Sequence, residues 1–513
     1  MSPRTWLPDW SHYPEQLTPL SATVWFEAIG RGIHEAMRQL RGPFGGFEAR
    51  TDMGWAYEGE LEPEWEPVQG ALREAAFHLE ERWARDLRPR AHAITAALHA
   101  LRPERVAADE VIAVFDRMWS HVLEQWAVHF LAVIPAQAAV EMAFDAYVEQ
   151  HGDDEPLAPY RLLQGPNETT EADAMLRHLA GLARDLDVAD VIAEYPTETA
   201  LERLREFHSG RQWLGEVDSY LERFGGRARL HELSLPREAE RPEMTLESVR
   251  LFLDAGEAPA RPPDGGGQRP HVSGRLAEVL PPARFGYALK ESHVYHLDYP
   301  GLLATREALK GFGRRLLAEG VLAFPDDLWM IRRTELRDAL AGDPPLDLGV
   351  LAEERRAELT EGRRRGPKPF LGEPPRERER EAILEKFYGR AEGPHGGGAV
   401  RGEGASPGVA RGRARVVAGL DDFRRVRAGD VLVAATTTPA WTPLFPSIAA
   451  LVTETGGILS HAAIVAREYG LPAVVGARDA MKLLPDGGMV QVDGSAGTVM
   501  LVEAAGSADP DRH

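Results

Sequence analysis

The stretch Thr453-Glu454-Thr455-Gly456-Gly457-Ile458-Leu459-Ser460-His461-Ala462-Ala463-Ile464-Val465-Ala466-Arg467 decides how the chain is read. Gly456 and Gly457 are free to take positive φ, Ser460 is a good N-cap, and a small-residue helix is expected to start at His461. The amide groups and positive end of that helix would lie beside the imidazole, where an anion is stabilised. Imidazole is an effective nucleophile near neutral pH and its phosphoramidate has high transfer potential, so this histidine can hold a phosphoryl group between two half-reactions. Taken alone, a histidine at a helix start is more readily read as a cap or a packed residue. Upstream, Thr436, Thr437 and Thr438 offer hydroxyls to a phosphorylated histidine, although a threonine run before Pro439 is also an ordinary turn. Arg467 points about 240° away from His461 on a helix and is expected to pair with a carboxylate instead of the phosphate.

Short strand-like and helical pieces surround this stretch. Strands are expected at 410–417, 431–434, 450–453, 473–475, 489–492 and 498–502, with helices near 420–426 and 461–469. Together they make a compact β/α domain over residues 401–503, followed by a disordered tail at 504–513. Ahead of it, Gly393-Pro394-His395-Gly396-Gly397-Gly398 reads as a hinge spanning residues 391–400, as a domain that visits two sites requires.

From Gly404 to about Val502 the chain resembles the phosphohistidine swivelling domain of the phosphoenolpyruvate-utilising enzymes, the group of pyruvate phosphate dikinase, pyruvate-water dikinase and rifampicin phosphotransferase. The resemblance rests on Ser406-Pro407-Gly408-Val409-Ala410-Arg411-Gly412, Thr438-Pro439-Ala440-Trp441-Thr442-Pro443, the Gly-Gly…His stretch, Leu471-Pro472-Ala473-Val474-Val475-Gly476 and Val492-Asp493-Gly494-Ser495-Ala496-Gly497. It implies that His461 is the phospho-acceptor, with Gly456, Gly457, Ser460, Thr437 and Thr438 around the phosphate. Leu459 stands where the dikinases usually have threonine, and the apolar residue is similar to the rifampicin phosphotransferase branch.

Composition narrows the partners. The 513 residues carry 59 basic and 80 acidic side chains, a formal charge of −21, which argues against nucleic acid or an anionic membrane. Cysteine is absent, so disulfides and thiolate metal sites are excluded and a cytoplasmic location is expected. The segment from Met1 to Tyr13 is mixed and proline-containing, unlike a signal peptide. The most apolar stretch, Phe130 to Val140, is interrupted by Pro135 and Gln137 and is too short for the roughly 20 residues a membrane span needs.

Residues 1–390 read as a mostly α-helical domain. Apolar residues recur at helical spacing, as in Leu72, Ala75, Ala76, Leu79 and Trp83, or Val111, Val114, Phe115, Met118, Val122 and Trp126. The lead-in from Trp6 to Leu20, rich in proline and aromatics, reads as extended and resembles the opening of the substrate domain in the rifampicin phosphotransferase branch. Glu257 to Pro270 is a Pro/Gly-rich loop. Charged runs at 350–365 and 375–390 read as exposed helices.

Two phrases of this region extend the resemblance. In Tyr220-Leu221-Glu222-Arg223-Phe224-Gly225-Gly226-Arg227, Gly226 replaces a family histidine; Arg227 and the downstream Glu232 remain as a substrate-side or a structural ion pair. The second phrase is Arg284-Phe285-Gly286-Tyr287-Ala288-Leu289-Lys290-Glu291-Ser292-His293, similar to a substrate-domain helix whose polar face meets the incoming phosphohistidine. Lys290 stands where arginine is usual, so a cation is kept without the bidentate fork. Tyr287, Lys290 and His293 share one helix face. With Glu291 they form either a receiver for the phosphoryl group, Lys290 as cation and His293 as base, or a solvated polar face. His293, His296 and Asp298 lack a convincing third metal ligand, so no metal is expected.

The sequence thus implies a multidomain α and α/β protein, a large helical substrate domain followed by a β/β/α swivelling domain. The function implied is the substrate-plus-carrier component of a dikinase-type phosphotransferase acting on a hydroxyl or enol of a small organic acceptor. Nothing in it resembles a nucleotide-grasp domain, a Gly-x-x-x-x-Gly-Lys-(Ser/Thr) loop or a phosphoenolpyruvate barrel. Mg-ATP is therefore expected to act through a separate ATP-grasp-type subunit. A non-catalytic or regulatory phosphocarrier is the alternative, permitted by Leu459, Lys290 and Gly226.

Overall fold

The computed structural model describes residues 4–9, 12–155, 157–227, 232–255, 270–344, 347–375 and 399–502. The expected loop at 257–269, the charged run from Arg376 to Arg390, the glycine-rich part of the hinge and the tail at 504–513 lie outside the described residues. Two compact units are formed. One takes in the described residues of 1–153, 221–241 and 272–376; the other takes in those of 154–220, 242–271 and 377–513.

The first unit is helical apart from a small antiparallel sheet in the order β2-β3-β1-β4. Its strands are β1 (Thr5–Pro8), β2 (Phe47–Asp52), β3 (Trp55–Glu60) and β4 (Leu371–Gly372). Of the lead-in expected to be extended from Trp6 to Leu20, the start, Trp6–Pro8, lies in strand β1, which is paired on both sides, and helix already begins at Pro19. The β2–β3 hairpin, absent from the sequence reading, turns at Met53-Gly54, whose φ values of 49° and 86° are those of a tight two-residue turn.

The unit is built on a 41-residue helix, Val111–His151, which continues through Pro135. Proline removes one hydrogen bond there, and burial of its neighbours Leu131, Ala132, Ala136 and Ala139 offsets the loss. This helix is long and apolar enough to cross a membrane by length and composition, but 67% of its most apolar window is buried inside the fold. It is a core helix. Helix Gly274–His293 packs along it and passes through a π-helical turn, Val294–Asp298, into helix Tyr299–Ala318. Pro300 accounts for the widened turn: its ring would press on the carbonyl four residues back and it has no N–H to donate.

The C-terminal domain of the second unit carries the remaining strands: β5 (Ala399–Arg401), β6 (Glu403–Ser406), β7 (Val409–Val416), β8 (Val431–Ala434), β9 (Ala450–Thr453), β10 (Ala473–Val475), β11 (Met489–Asp493) and β12 (Thr498–Leu501). They form one sheet in the order β5-β12-β11-β7-β8-β9-β10-β6, with β7 to β10 mutually parallel. Strands β8 and β9 are buried along their whole length, as parallel strands covered on both faces must be. Leu432 and Leu451 face one core, Val431, Val433 and Val452 the other. The six strands expected from the sequence are present; β5, which takes up Ala399 and Val400 from the expected hinge, and β6 were not foreseen. The piece at Leu420–Arg425 is 3-10 helix.

Helical segments of residues 154–220 and 242–255 belong to this same unit. Helix Glu168–Asp185 starts in a capping box between Asn167 and Thr170.

Candidate active site

The loops leaving the C-terminal ends of parallel strands β8 and β9 lie side by side, the usual place for a site in such a sheet. The amides of Glu454 and Thr455 donate to the carbonyls of Ala434 and Ala435, at 3.0 Å each. The Thr455 hydroxyl also donates to Ala435 O at 2.9 Å. At the end of the β9 loop Gly456 has φ +96°, and a Cβ on it would come within 2.9 Å of Ser460 Cβ. Both conformation and space therefore require glycine. Gly457, by contrast, is not in the left-handed region. Ser460 caps helix His461–Glu468 through Ala463 N, so the imidazole stands on the first helical residue, half-exposed.

Arg467 holds this loop from behind. Fully buried, it donates to the carbonyls of Ile458 and Ala405 at 2.8 Å each and lies 3.9 Å from the ring centre of Tyr160. Its guanidinium thus ties the histidine turn to strand β6 through backbone carbonyls. The far end of the helix is held through Tyr469, whose hydroxyl donates to Asp173 and accepts from Arg177. In the neighbouring loop Thr438 precedes a 3-10 turn, Pro439–Leu444. The Thr437 hydroxyl is buried and makes no hydrogen bond among the described residues.

In the first unit, Tyr287, Lys290, Glu291 and His293 lie on one helix, and none of them is fully exposed. The solvated-face reading fails here because the face packs against helix Val111–His151. Lys290 Nζ donates to Gln137 Oε1 at 2.8 Å, and burial lowers its pKa against the raising fields of Glu291 and Glu141. His293 Nδ1 lies 3.0 Å from Leu289 O, while Nε2 faces Asp298 Oδ2 at 3.7 Å. Burial is the main cause that pushes the His293 pKa down to about 4, with Asp298 opposing and His129 and Lys290 reinforcing. The ring is neutral at physiological pH.

Several residues of this region were not foreseen. His129 Nδ1 meets Asp298 Oδ1 at 2.7 Å, bridging 169 positions of sequence. His296, considered with His293 and Asp298 in the sequence, instead packs against Trp83 and His92. At the end of β1, Asp9 pairs with His12 at 2.9 Å and is hydrogen-bonded to Glu58. Burial raises the Glu58 pKa, and the Asp9 charge raises it further. Asp9 itself is held low by His12 against the effect of burial, and Asp9 in turn raises His12. Asp298 and Lys290 are close enough to act electrostatically on His12. No local signal marks these residues, because strand β1, the β2–β3 hairpin and two helices converge only in the folded chain.

The Arg227 and Glu232 positions have structural partners. Arg227 Nε lies 3.8 Å from Glu238 Oε1. The Glu232 carboxylate accepts from Thr18 N and Oγ1, Ser21 Oγ and Ser234 N, closing the turn at Thr18–Ser21. Gly226 packs so tightly on Tyr299 that an added Cβ would lie 2.9 Å from its Cβ.

Known proteins match the chain in two places. Residues 426–497 match the PEP-utilising enzyme mobile domain, and residues 129–269 match the rifampicin phosphotransferase fourth domain. Among similar proteins, chondramide synthase cmdD of Chondromyces crocatus is 29% identical over 97% of this chain, which covers 14% of the synthase. The uncharacterized phosphotransferase YvkC of Bacillus subtilis is 28% identical over 77% of the chain and is itself covered to 49%. Rifampicin phosphotransferase of Bacillus cereus is 30% identical over 61% of the chain and is covered to 38%. The chain therefore spans less than half the length of each of these relatives.

Proposed function

We propose that this chain is the substrate-and-carrier part of a dikinase-type phosphotransferase, with His461 as the residue that carries the phosphoryl group. The observation that carries the reading is the turn itself: a glycine at φ +96°, a serine cap and a histidine on the first helical residue, set at the C-terminal ends of parallel strands. Segments matching the PEP-utilising mobile domain and the rifampicin phosphotransferase fourth domain support it.

In the proposed cycle an ATP-grasp-type unit, supplied as a separate subunit, transfers the pyrophosphoryl group of Mg-ATP to His461 with AMP as the leaving group, and water then removes the terminal phosphate to leave the phosphohistidine. The N–P bond of the phosphohistidine then breaks as an O–P bond forms to a hydroxyl or enol of a small organic acceptor. The acceptor's proton passes to a base in the first unit, and Lys290 stabilises the charge on the phosphoryl oxygens in transit. Tyr287, His293 and Glu291 complete the receiver. Gly456, Gly457, Ser460, Thr437 and Thr438 surround the phosphate; the buried, unbonded Thr437 hydroxyl suits that task. The absence of cysteine favours a cytoplasmic location.

The regulatory alternative loses one of its supports, because Gly226 has a packing reason of its own against Tyr299. Incubation with Mg-ATP and a candidate nucleotide-binding partner, followed by peptide mapping at neutral pH, tests the proposal. Acid-labile phosphate on the peptide containing His461 is expected. A protein that stays unlabelled with every donor tried, while the donor labels a known phosphohistidine protein, overturns it.

A further inference from the structure

We propose that His129, His293 and Asp298 form a binding site for one divalent transition ion of the zinc type. The three side chains come from helix Val111–His151, the end of helix Gly274–His293 and the π-helical turn after it. All are nearly buried, at 8%, 9% and 2% exposure. One ligand atom from each lies within 4.8 Å of the others.

The π-helical turn is what assembles the pair on one chain segment. On a regular α-helix, residues five apart diverge by about 140°. The extra residue in the turn from Val294 to Asp298 brings Asp298 back toward the face of His293, as an i,i+4 neighbour would lie. His129 then enters from the packed helix.

The distances fit an ion better than they fit hydrogen bonding alone. His129 and Asp298 are 2.7 Å apart, a good hydrogen bond, but His293 Nε2 stands 3.7 Å from Asp298 Oδ2, too far for one. Ligand atoms on a tetrahedral zinc with bonds of about 2.0–2.1 Å are separated by about 3.4 Å. The two observed separations bracket that value, so small side-chain shifts suffice. Each ring is also held in place. His293 Nδ1 faces the Leu289 carbonyl, which can only accept, so this nitrogen carries a proton and Nε2 is the one left to ligate. Such an anchor is usual for metal-binding histidines. His129 is wedged between the rings of Trp126 and Phe130, with centroids at 4.8 Å and 4.7 Å. Two imidazoles and one carboxylate favour Zn²⁺, Co²⁺ or Ni²⁺ over Mg²⁺ and Ca²⁺, which prefer all-oxygen sites.

Metal binding is independent of the phosphotransfer reading and is tested without an activity assay. If both hold, the fourth position is where an acceptor oxygen would be polarised. The full-length chain is stripped with a chelator and titrated with Co²⁺, then with Zn²⁺. One Co²⁺ per chain with tetrahedral visible absorption, displaced by Zn²⁺, is expected, together with a rise in the wild-type melting temperature. Asp298→Asn, His293→Gln and His129→Gln should each weaken binding by roughly 100-fold or more, and His296→Asn should retain it. Wild-type protein that binds no Co²⁺ at about millimolar concentration and shows no melting shift overturns the site, whatever the variants do. Stoichiometric binding that survives in folded Asp298→Asn and His293→Gln also overturns it, because the ion then sits among others of the 17 histidines.

Discussion

The carrier domain and the helical unit organise their histidines in opposite ways. Around His461 the functional geometry is local: Gly456, Ser460 and the helix start lie within six consecutive residues, on strands whose ends the sequence marks. Around His293 it is assembled from afar, with His129 contributed 169 positions from Asp298 and Asp9 and Glu58 delivered by a small sheet. The carrier presents one half-exposed imidazole at the end of a helix. The helical unit instead buries a network of acids, histidines and one lysine whose pKa values push one another apart. A local site can be carried whole on a mobile domain; a distributed one needs a rigid body around it.

The sharpest test of the local half is His461→Ala. Transfer to any acceptor should fall by at least roughly 10⁴-fold, read as product formed by the reconstituted system, while circular dichroism stays that of the folded chain. Next comes the support behind the turn. Arg467→Met removes two bonds to the carbonyls of Ile458 and Ala405 inside a closed core. It should lower stability in urea by about 3 kcal/mol and slow phosphorylation of His461. Arg467→Lys should recover part of both. If Arg467→Met left the denaturation midpoint unchanged, the turn would be self-supporting and the contrast with the helical unit sharper still.

The same contrast explains what the sequence disclosed. Strands β8, β9 and β10 were legible to the residue because short apolar runs between turn residues allow few alternatives, and Ser460 announced the helix start. Helical periodicity disclosed the class of the larger unit. It could not disclose the β2–β3 hairpin, whose turn is Met-Gly instead of a more usual Asn-Gly or Asp-Gly pair. Nor could it disclose that Tyr287, Lys290 and His293 face another helix, since i,i+3 spacing is the same on a wet face and a buried one. For a related reason the helical angle told where Arg467 points, but not that backbone carbonyls of Ala405 and Ile458 converge there. His129 stands at the edge of the most apolar stretch of the chain, and its polar partner, Asp298, comes from a distant segment.

The acid pair at β1 offers a pH test of the distributed half. Burial and the neighbouring Asp9 charge hold the Glu58 pKa above its unfolded value. The folded state therefore binds that proton more tightly, so its stabilising contribution is complete below the unfolded pKa of about 4.3 and is lost as pH rises through the folded value. Glu58→Gln keeps a neutral hydrogen-bonding group beside Asp9. Relative to wild type, its melting temperature should be similar near pH 4 and higher near pH 8. Equal melting curves at both pH values would mean that Glu58 ionises freely and that the network at the end of β1 is solvated.

The smallest effect is expected where the two halves meet in function. Among the described residues Lys290 makes one bond, to Gln137 at 2.8 Å, from a half-buried position. Arginine, usual in the resembling enzymes, would keep the charge and offer a planar fork, of which Gln137 Oε1 can engage one N–H. Lys290→Arg should therefore alter stability by less than about 1 kcal/mol and transfer rate by less than about tenfold, measured on fully phosphorylated protein at saturating acceptor. A rate gain would mean that bidentate clamping of the phosphoryl oxygens is available and that lysine was selected for another acceptor geometry. A loss beyond about a hundredfold would mean that the compact ammonium is itself required, and the receiver would then be as exacting at a single position as the carrier is at His461.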